Sequence, residues 1–210
     1  FNKVEKIKNS IMKHIHLVIF TLILVVTAGC SRTFEYRISD SVFIEDAENP
    51  GLPIYSEKGY NSFGVYWGLT PWRTGSEHDP SKIVVKDDSC HIHLSGSIDG
   101  EMPYTLVLSF PDYTPDSFTD LLSLNGKSFD LPATECVVSL LLGNSRRDLK
   151  IVEGEFKIKR AQNLYIDKEL QGTVLSGIFS FKATVDDEPT TFSNGRFDMR
   201  FGEDNFYYLS

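Results

Sequence analysis

An aromatic segment in the first half of the chain contains residue types that bind ligands by stacking. Tyr66 lies between Gly64 and Gly68, where no flanking side chain would shield its ring, and Trp72 follows Pro71. With Tyr66 on the polar face of a strand and Trp72 in a loop, the two rings would form an exposed platform for a sugar or a partner protein. The alternative is that glycine beside an aromatic marks the close approach of another segment. The platform hypothesis assigns ligand binding to Tyr66 and Trp72.

His91 and His93 alternate along a predicted strand, so their imidazoles project from one face about 7 Å apart. A third ligand from a neighbouring strand would complete a transition-metal site. The same face carries Asp87, Ser89 and Ser95, which is typical of the polar side of a half-buried strand. We therefore predict neither a metal site nor a cofactor.

Motifs for catalysis are absent from the sequence. The nearest approach to a nucleophile elbow, Gly96-Ser97-Ile98-Asp99-Gly100, has its second glycine one position too far along. Acidic pairs occur at Asp87/Asp88 and Asp186/Asp187, where solvated hairpin turns explain them. The sequence therefore predicts a protein that is not an enzyme. A hydrolase with unrecognised carboxylates stays an alternative, because glycosidase carboxylates carry no local signature.

The chain has three cysteines, Cys30, Cys90 and Cys136. Cys90 and Cys136 fall on apolar faces of predicted strands. In an oxidising compartment they would form either a disulfide or two separate buried thiols. The sequence leaves both alternatives open, because a bridge needs Cα atoms within about 7 Å of each other.

The N-terminal segment has the pattern of a secretion signal. Met12-Lys13-His14 is a basic start, residues 17–26 (LVIFTLILVV) are uniformly apolar, and Thr27-Ala28-Gly29 supplies small residues before Cys30. The apolar run is shorter than the roughly 20 residues of a membrane-spanning helix. We interpret residues 1–11 as an upstream extension, residues 12–29 as the signal peptide and residues 30–210 as a single all-β domain.

The segment Thr27-Ala28-Gly29-Cys30 resembles a bacterial lipobox, in which the cysteine becomes the lipidated first residue of the mature protein. The resemblance implies that Cys30 is the membrane anchor, because acyl chains hold a protein in proportion to their buried methylenes.

Composition excludes several classes of protein and partner. The chain has 210 residues, is 41% hydrophobic and carries a formal net charge of −8 from 21 basic and 29 acidic residues. Such a chain is neither disordered nor a disulfide-stapled miniprotein. The acidic balance argues against nucleic acid as a partner.

Alternation of apolar and polar residues with a period of two predicts antiparallel strands along most of the chain. The apolar rows include Cys90, Ile92 and Leu94, then Phe156 and Ile158, then Phe197, Met199 and Phe201. A further row, Phe63, Val65, Trp67 and Leu69, is assigned to the core. Turn residues at positions 87–88, 99–100, 186–189 and 194–195 separate the runs.

One short helix is predicted after Thr114 and Pro115, with Phe118, Leu121 and Leu122 as its apolar stripe. About ten strands and one short helix indicate an all-β fold, either an antiparallel β-sandwich or a closed β-barrel.

Several strand-and-turn segments resemble a group of uncharacterised lipoproteins from Bacteroides-type bacteria. They are residues 50–55 (PGLPIY), 59–64 (GYNSFG), 159–163 (KRAQN), 176–181 (SGIFSF) and 194–198 (NGRFD). The resemblance implies a secreted, lipid-anchored, all-β protein and assigns no activity. Because Ser31-Arg32-Thr33-Phe34 lacks the acidic run that sends many such lipoproteins to the cell surface, it favours the periplasmic side of the outer membrane.

Together these features predict a lipid-anchored envelope lipoprotein with a non-enzymatic binding domain for a glycan or an envelope protein. The alternative from another class is a structural subunit of an envelope or surface assembly.

Overall fold

Antiparallel β-strands make up most of the chain in a computed structural model, which describes residues 41–75, 81–100, 102–133 and 135–209. These residues belong to one compact unit. The predicted upstream extension, the signal peptide and the lipidated Cys30 lie outside the described residues. The all-β prediction is confirmed.

The described residues form fourteen strands and one 3₁₀ helix, Phe118–Leu124. The strands are β1 (Glu45–Asp46), β2 (Asn49–Pro53), β3 (Ser62–Trp67), β4 (Thr70–Arg73), β5 (Ser81–Lys86), β6 (Ser89–Ile98), β7 (Met102–Pro111), β8 (Ser128–Asp130), β9 (Val137–Leu142), β10 (Ser145–Asp148), β11 (Lys150–Ile166), β12 (Glu169–Val185), β13 (Glu188–Phe201) and β14 (Phe206–Tyr208).

Twelve of these strands form one large sheet, and β1 and β2 form a separate two-stranded sheet. The order along the large sheet is β10-β9-β7-β6-β4-β3-β13-β12-β11-β8, with β5 paired to β6 and β14 paired to β5. The β14–β5 pairing is parallel, and the other pairs are antiparallel. The large sheet curls into a half-barrel. This large curled sheet with a small second sheet is consistent with the sandwich-like or barrel-like fold that the sequence predicted.

The hydrophobic core lies on the inner face of the curled sheet, as the alternation predicted. Cys90, Ile92 and Leu94 of β6 are fully buried there. Leu121 and Leu124 of the 3₁₀ helix pack into the same core. Leu69 is an exception to the predicted core row: the strand ends at Trp67, Gly68 turns the chain at φ +63°, and Leu69 is 95% exposed.

The acidic pairs occupy tight hairpin turns, as predicted. Asp87 and Asp88 have φ values of 50° and 56°, and Asp186 and Asp187 have 51° and 65°. Short polar side chains tolerate this left-handed conformation. The prediction for residues 194–195 is wrong, because they form a bulge within β13 rather than a turn between strands. The helix also begins later than predicted, with Ser117 as its N-cap.

Candidate functional site

Trp72 lies in the core rather than in an exposed loop, so the predicted stacking platform is wrong. It belongs to β4, which pairs with both β3 and β6, and its side chain is fully buried. Its ring meets Phe63 edge-on, with centroids 5.1 Å apart, and lies 5.8 Å from Trp67. Because Trp72 is the register partner of Val65, it shares the inward face of that residue.

Tyr66 points to the outer face of the sheet but is half-buried there. Its hydroxyl donates a hydrogen bond to the carbonyl of Pro50 at 2.8 Å. A Cβ on the neighbouring Gly64 would clash with Pro53. The glycine therefore marks the close approach of β2, which is the alternative that the sequence offered.

The outer face of β3, β12 and β13 is covered by residues 42–61, which we call the covering segment. Its main attachment is Asp198 of β13, which is 1% exposed. The Asp198 carboxylate accepts hydrogen bonds from the backbone N–H groups of Lys58 (3.2 Å), Gly59 (2.8 Å) and Tyr60 (3.1 Å). It also accepts one from the Ser176 hydroxyl at 2.8 Å. Every donor on this buried carboxylate comes from the protein itself.

A second attachment joins the covering segment to β13 near its bulge. Arg196 forms an ion pair with Asp46. The Asn49 amide donates to the same carboxylate oxygen as Arg196, at 2.8 Å, and the Asn194 amide donates to the Asn49 side-chain oxygen at 2.7 Å. The Asn49 hydrogen bond, with others, lowers the pKa of Asp46.

Beyond this attachment the outer face of the sheet is open and forms a cleft of about 400 Å³. We call it the β11–β13 cleft. Its lining is Tyr55, Glu155, Lys157, Lys159, Ile178, Phe179, Ser180, Asn194, Gly195 and Arg196.

Strand register places three of the lining side chains in a row across the cleft floor. Lys157 of β11 pairs with Ile178 of β12, and Ile178 pairs with Arg196 of β13. Since Phe156 and Ile158 are buried in the core, their neighbours on β11 face outward. The charged alternation of β11 was a signal in the sequence that could have indicated this surface.

Tyr55, from the covering segment, forms one wall of the cleft, and sequence reasoning missed its role. Its hydroxyl donates to the Glu57 carboxylate at 2.8 Å. Burial, reinforced by this hydrogen bond, raises the pKa of Tyr55. The Lys159 ammonium lies 5.0 Å from the centre of the ring, within the range of a cation–π contact. The ring is thus fixed in place as a flat wall.

The charges of the cleft differ in how they are compensated. Arg196 has its ion pair with Asp46. In contrast, neither Lys157 nor Lys159 has a carboxylate within 4.0 Å among the described residues. Two ammonium groups therefore face the cleft without a counter-ion from the described part of the protein.

A hydrogen-bonded network surrounds the first predicted histidine. His91 Nδ1 lies 2.7 Å from the hydroxyl of Ser109, which accepts a hydrogen bond from Arg146 at 3.1 Å. Burial, followed by the charge of Arg146, lowers the pKa of His91. Arg146 also bonds Ser139 at 3.1 Å and Asp148 at 3.2 Å. Ser109 is only 5% exposed, so this network fixes side chains on the sheet rather than offering a nucleophile to a substrate.

His93 is in a different situation from His91. Its Nδ1 is buried and has no hydrogen-bond partner among the described residues. Burial, with Lys82 next, lowers the pKa of His93 to about 4. Nowhere in the described ranges do three His, Cys, Asp or Glu side chains converge in a way suited to a metal ion.

Cys90 and Cys136 are free, buried thiols in the structure. Cys90 is the partner of Phe110 on one side of β7, and Cys136 immediately precedes the Val137–Ser109 pair on the other side. Two strand spacings put them about 9–10 Å apart, beyond the reach of a disulfide. Of the two alternatives that the sequence left open, the structure has the two separate buried thiols. Burial raises the pKa of both thiols to about 12.

A larger cavity, of about 550 Å³, lies beside β4 and the β6–β7 turn, and its lining carries one positive and one negative side chain. Its charged lining residues are Arg73 and Asp99. The Arg73 guanidinium lies 4.2 Å from the centre of the Phe43 ring. The β11–β13 cleft is the better candidate site, because it combines an aromatic wall with an excess of positive over negative side chains, whereas the charges lining the larger cavity balance.

Comparison with known proteins adds no name to this site. No family model matches the chain, and no significant match was found among curated proteins or solved structures. Among the described residues, no helix has both the length and the apolar character needed to cross a membrane.

Proposed function

We propose that the protein is a lipid-anchored lipoprotein of a bacterial outer membrane whose β-domain binds a glycan without catalysing a reaction. The anchor rests on the apolar run that ends in Thr27-Ala28-Gly29-Cys30. The periplasmic side is favoured, since no acidic run follows the cysteine.

The observation that carries the binding function is the composition of the β11–β13 cleft. Tyr55 supplies an aromatic wall, and Ile178, 40% exposed, supplies an apolar floor. Ser180 and Asn194 add a hydroxyl and an amide at the same surface. Sugars present C–H faces and hydroxyl edges, so they are matched by aromatic and apolar surfaces bordered by polar groups.

Glycan binding is tested by affinity electrophoresis of the detergent-solubilised protein against a panel of neutral and acidic polysaccharides. At least one polysaccharide should retard the wild-type protein. Tyr55→Ala should weaken that retardation about tenfold or more, because the wall of the cleft is lost. Tyr165→Ala is the matched control, since Tyr165 is 59% exposed near the β11–β12 turn, away from the cleft. If Tyr55→Ala and Tyr165→Ala are retarded equally, the binding site does not include Tyr55.

The anchor is tested by labelling cells with a radioactive fatty acid. The wild-type protein should incorporate the label, and Cys30→Ala should not. A wild-type protein that takes up no label would contradict the lipoprotein assignment and leave the cleft hypothesis intact.

A further inference from the structure

The β11–β13 cleft has a charge opposite to that of the protein as a whole. The chain carries a formal net charge of −8. The cleft has three cationic side chains, Lys157, Lys159 and Arg196, and one carboxylate, Glu155. A local excess of positive charge on an acidic protein concentrates anions at that point and repels them elsewhere.

Only the two lysines have charge to offer a ligand. Arg196 has a side chain 11% exposed and is held by Asp46 and by the carbonyl of Pro53 at 3.3 Å. Lys159 contacts the Tyr55 ring through a cation–π interaction that leaves its ammonium N–H groups available. Lys157 has no ion pair within the described residues, as noted above. An anionic group would therefore be held by Lys157 and Lys159.

The remaining groups fix the orientation of such a ligand. Glu155, Lys157 and Lys159 of β11 all line the cleft. Glu155 and Lys157 lie about 7 Å apart along the strand, and Lys159 lies in the irregularity between Ile158 and Arg160. Glu155 repels an anion, and its register partner is Ser180. An anionic group is thus directed to the Lys159 end, while hydroxyl groups fit the Glu155 end, where the carboxylate and the Ser180 hydroxyl can hydrogen-bond with them.

From this arrangement we infer that the ligand of the cleft is an acidic glycan, whose sugar carboxylates bind Lys157 and Lys159 while its ring packs on Tyr55 and Ile178. This inference rests on the proposed glycan-binding function and adds the chemical class of the ligand. A carboxylate bound by an ammonium group makes a charge-assisted hydrogen bond, which is stronger than a neutral one.

The test is calorimetric titration of the detergent-solubilised full-length protein with three carboxylate polysaccharides: polygalacturonate, alginate and hyaluronan. Each is compared with its own carboxyl-esterified form, which keeps the sugar chain and removes the charge. We expect at least one acid form to bind, its ester to bind at least tenfold more weakly, and affinity to fall as salt is added.

Single substitutions identify the lysine side chains that bind the carboxylate. Lys157→Gln and Lys159→Gln should each weaken binding of the acid form about tenfold and leave the thermal midpoint unchanged. Lys168→Gln is the matched control, because Lys168 is exposed in the turn between β11 and β12 and lies outside the cleft. Equal losses in all three variants would contradict a specific site for the carboxylate.

The outcomes distinguish the two proposals. If acid and ester forms bind equally, or if only neutral polysaccharides bind, the acidic inference fails and glycan binding stands. If no polysaccharide of either kind binds, both fail. If polyglutamate binds as tightly as the acidic polysaccharides, the cleft recognises carboxylates without a sugar, and the acidic-glycan inference is overturned.

Discussion

Two polar patches lie on the outer face of the same sheet, and they differ in whether the protein itself supplies their partners. The Asp198 carboxylate, on β13, is 1% exposed and accepts hydrogen bonds from Lys58, Gly59, Tyr60 and Ser176. Lys157, which register places two strands away, has no ion pair among the described residues. One patch is closed by the covering segment, and the other is open.

The difference follows from the cost of burial. A buried polar group without a partner costs about 1–3 kcal/mol, and more when it is charged, so a covered carboxylate must be satisfied internally. A charge that water can reach has no such requirement and stays available to a ligand. Internal satisfaction therefore indicates a structural role, whereas an exposed charge without an ion pair is free to interact with a ligand.

The largest loss of stability is expected for a substitution on the inner face, and the losses at the two patches are compared with it. Trp72→Ala should lower the free energy of unfolding by about 3–5 kcal/mol, because a fully buried ring is replaced by a cavity. Denaturant titration measures this. Leu69→Ala, in the adjoining turn, should change stability by less than about 0.5 kcal/mol. A loss of stability below about 1 kcal/mol for Trp72→Ala would mean that Trp72 is exposed, as the sequence analysis proposed.

For the closed patch, Asp198→Ala should cost about 2–4 kcal/mol, because the Gly59 and Tyr60 N–H groups and the buried Ser176 hydroxyl lose their acceptor. The covering segment should also detach locally and become sensitive to protease within residues 54–61. Asp116→Ala, at an exposed position outside the left-handed region, is the control and should leave stability and cleavage unchanged. A mild effect at Asp198 would mean that the patch is not sealed.

His93 offers an intermediate case, a buried polar atom that the described residues leave without a partner. Its pKa of about 4 in the folded state lies below the value of about 6.5 expected in the unfolded chain. Between these values the unfolded state binds more protons than the folded state. The contribution of His93 to the free energy of unfolding is therefore fully present above about pH 6.5 and is lost as the pH drops toward 4. The loss from this residue is about 2–3 kcal/mol.

The pH effect is measured by denaturant titration at pH 7 and pH 4.5 on the wild type and on His93→Gln. The variant should lose less stability than the wild type between these values. Parallel losses in the two proteins would show that His93 titrates normally and is not sealed in the sheet.

The smallest effect is expected at the open patch. Lys157→Gln and Lys159→Gln should change the free energy of unfolding by less than about 0.5 kcal/mol, since neither lysine has an ion pair to lose within the described residues. Thermal melting checks this. A destabilisation above about 1 kcal/mol would make the lysines structural and would remove the distinction between the patches.

The sequence predicted the strands and the hairpin turns well, because both depend on residues close together in the chain. Alternation along β6 placed Cys90, Ile92 and Leu94 in the core, where the structure has them. The Asp186-Asp187 turn follows from side chains that tolerate a positive φ. The Asn194-Gly195 pair was misread, since the same local conformation serves a turn or a bulge and only the neighbouring strands decide which forms.

The candidate site could not be predicted in the same way. The sequence proposed Tyr66 and Trp72, whereas the open aromatic wall is Tyr55. Trp72 is buried because β4 has strand partners on both sides, and β6 begins well beyond it in the chain.

The all-β class, most of the inward rows and most of the hairpin turns follow from the sequence, because strand periodicity and turn conformation are local properties. Which part of the outer face is covered follows only from the assembled fold. The residues of the covering segment that bind Asp198 lie 138–140 positions away from it in the chain. Alternation shows that a side chain faces outward, but whether another segment packs over it depends on contacts between distant residues, and those form only when the whole sheet is assembled.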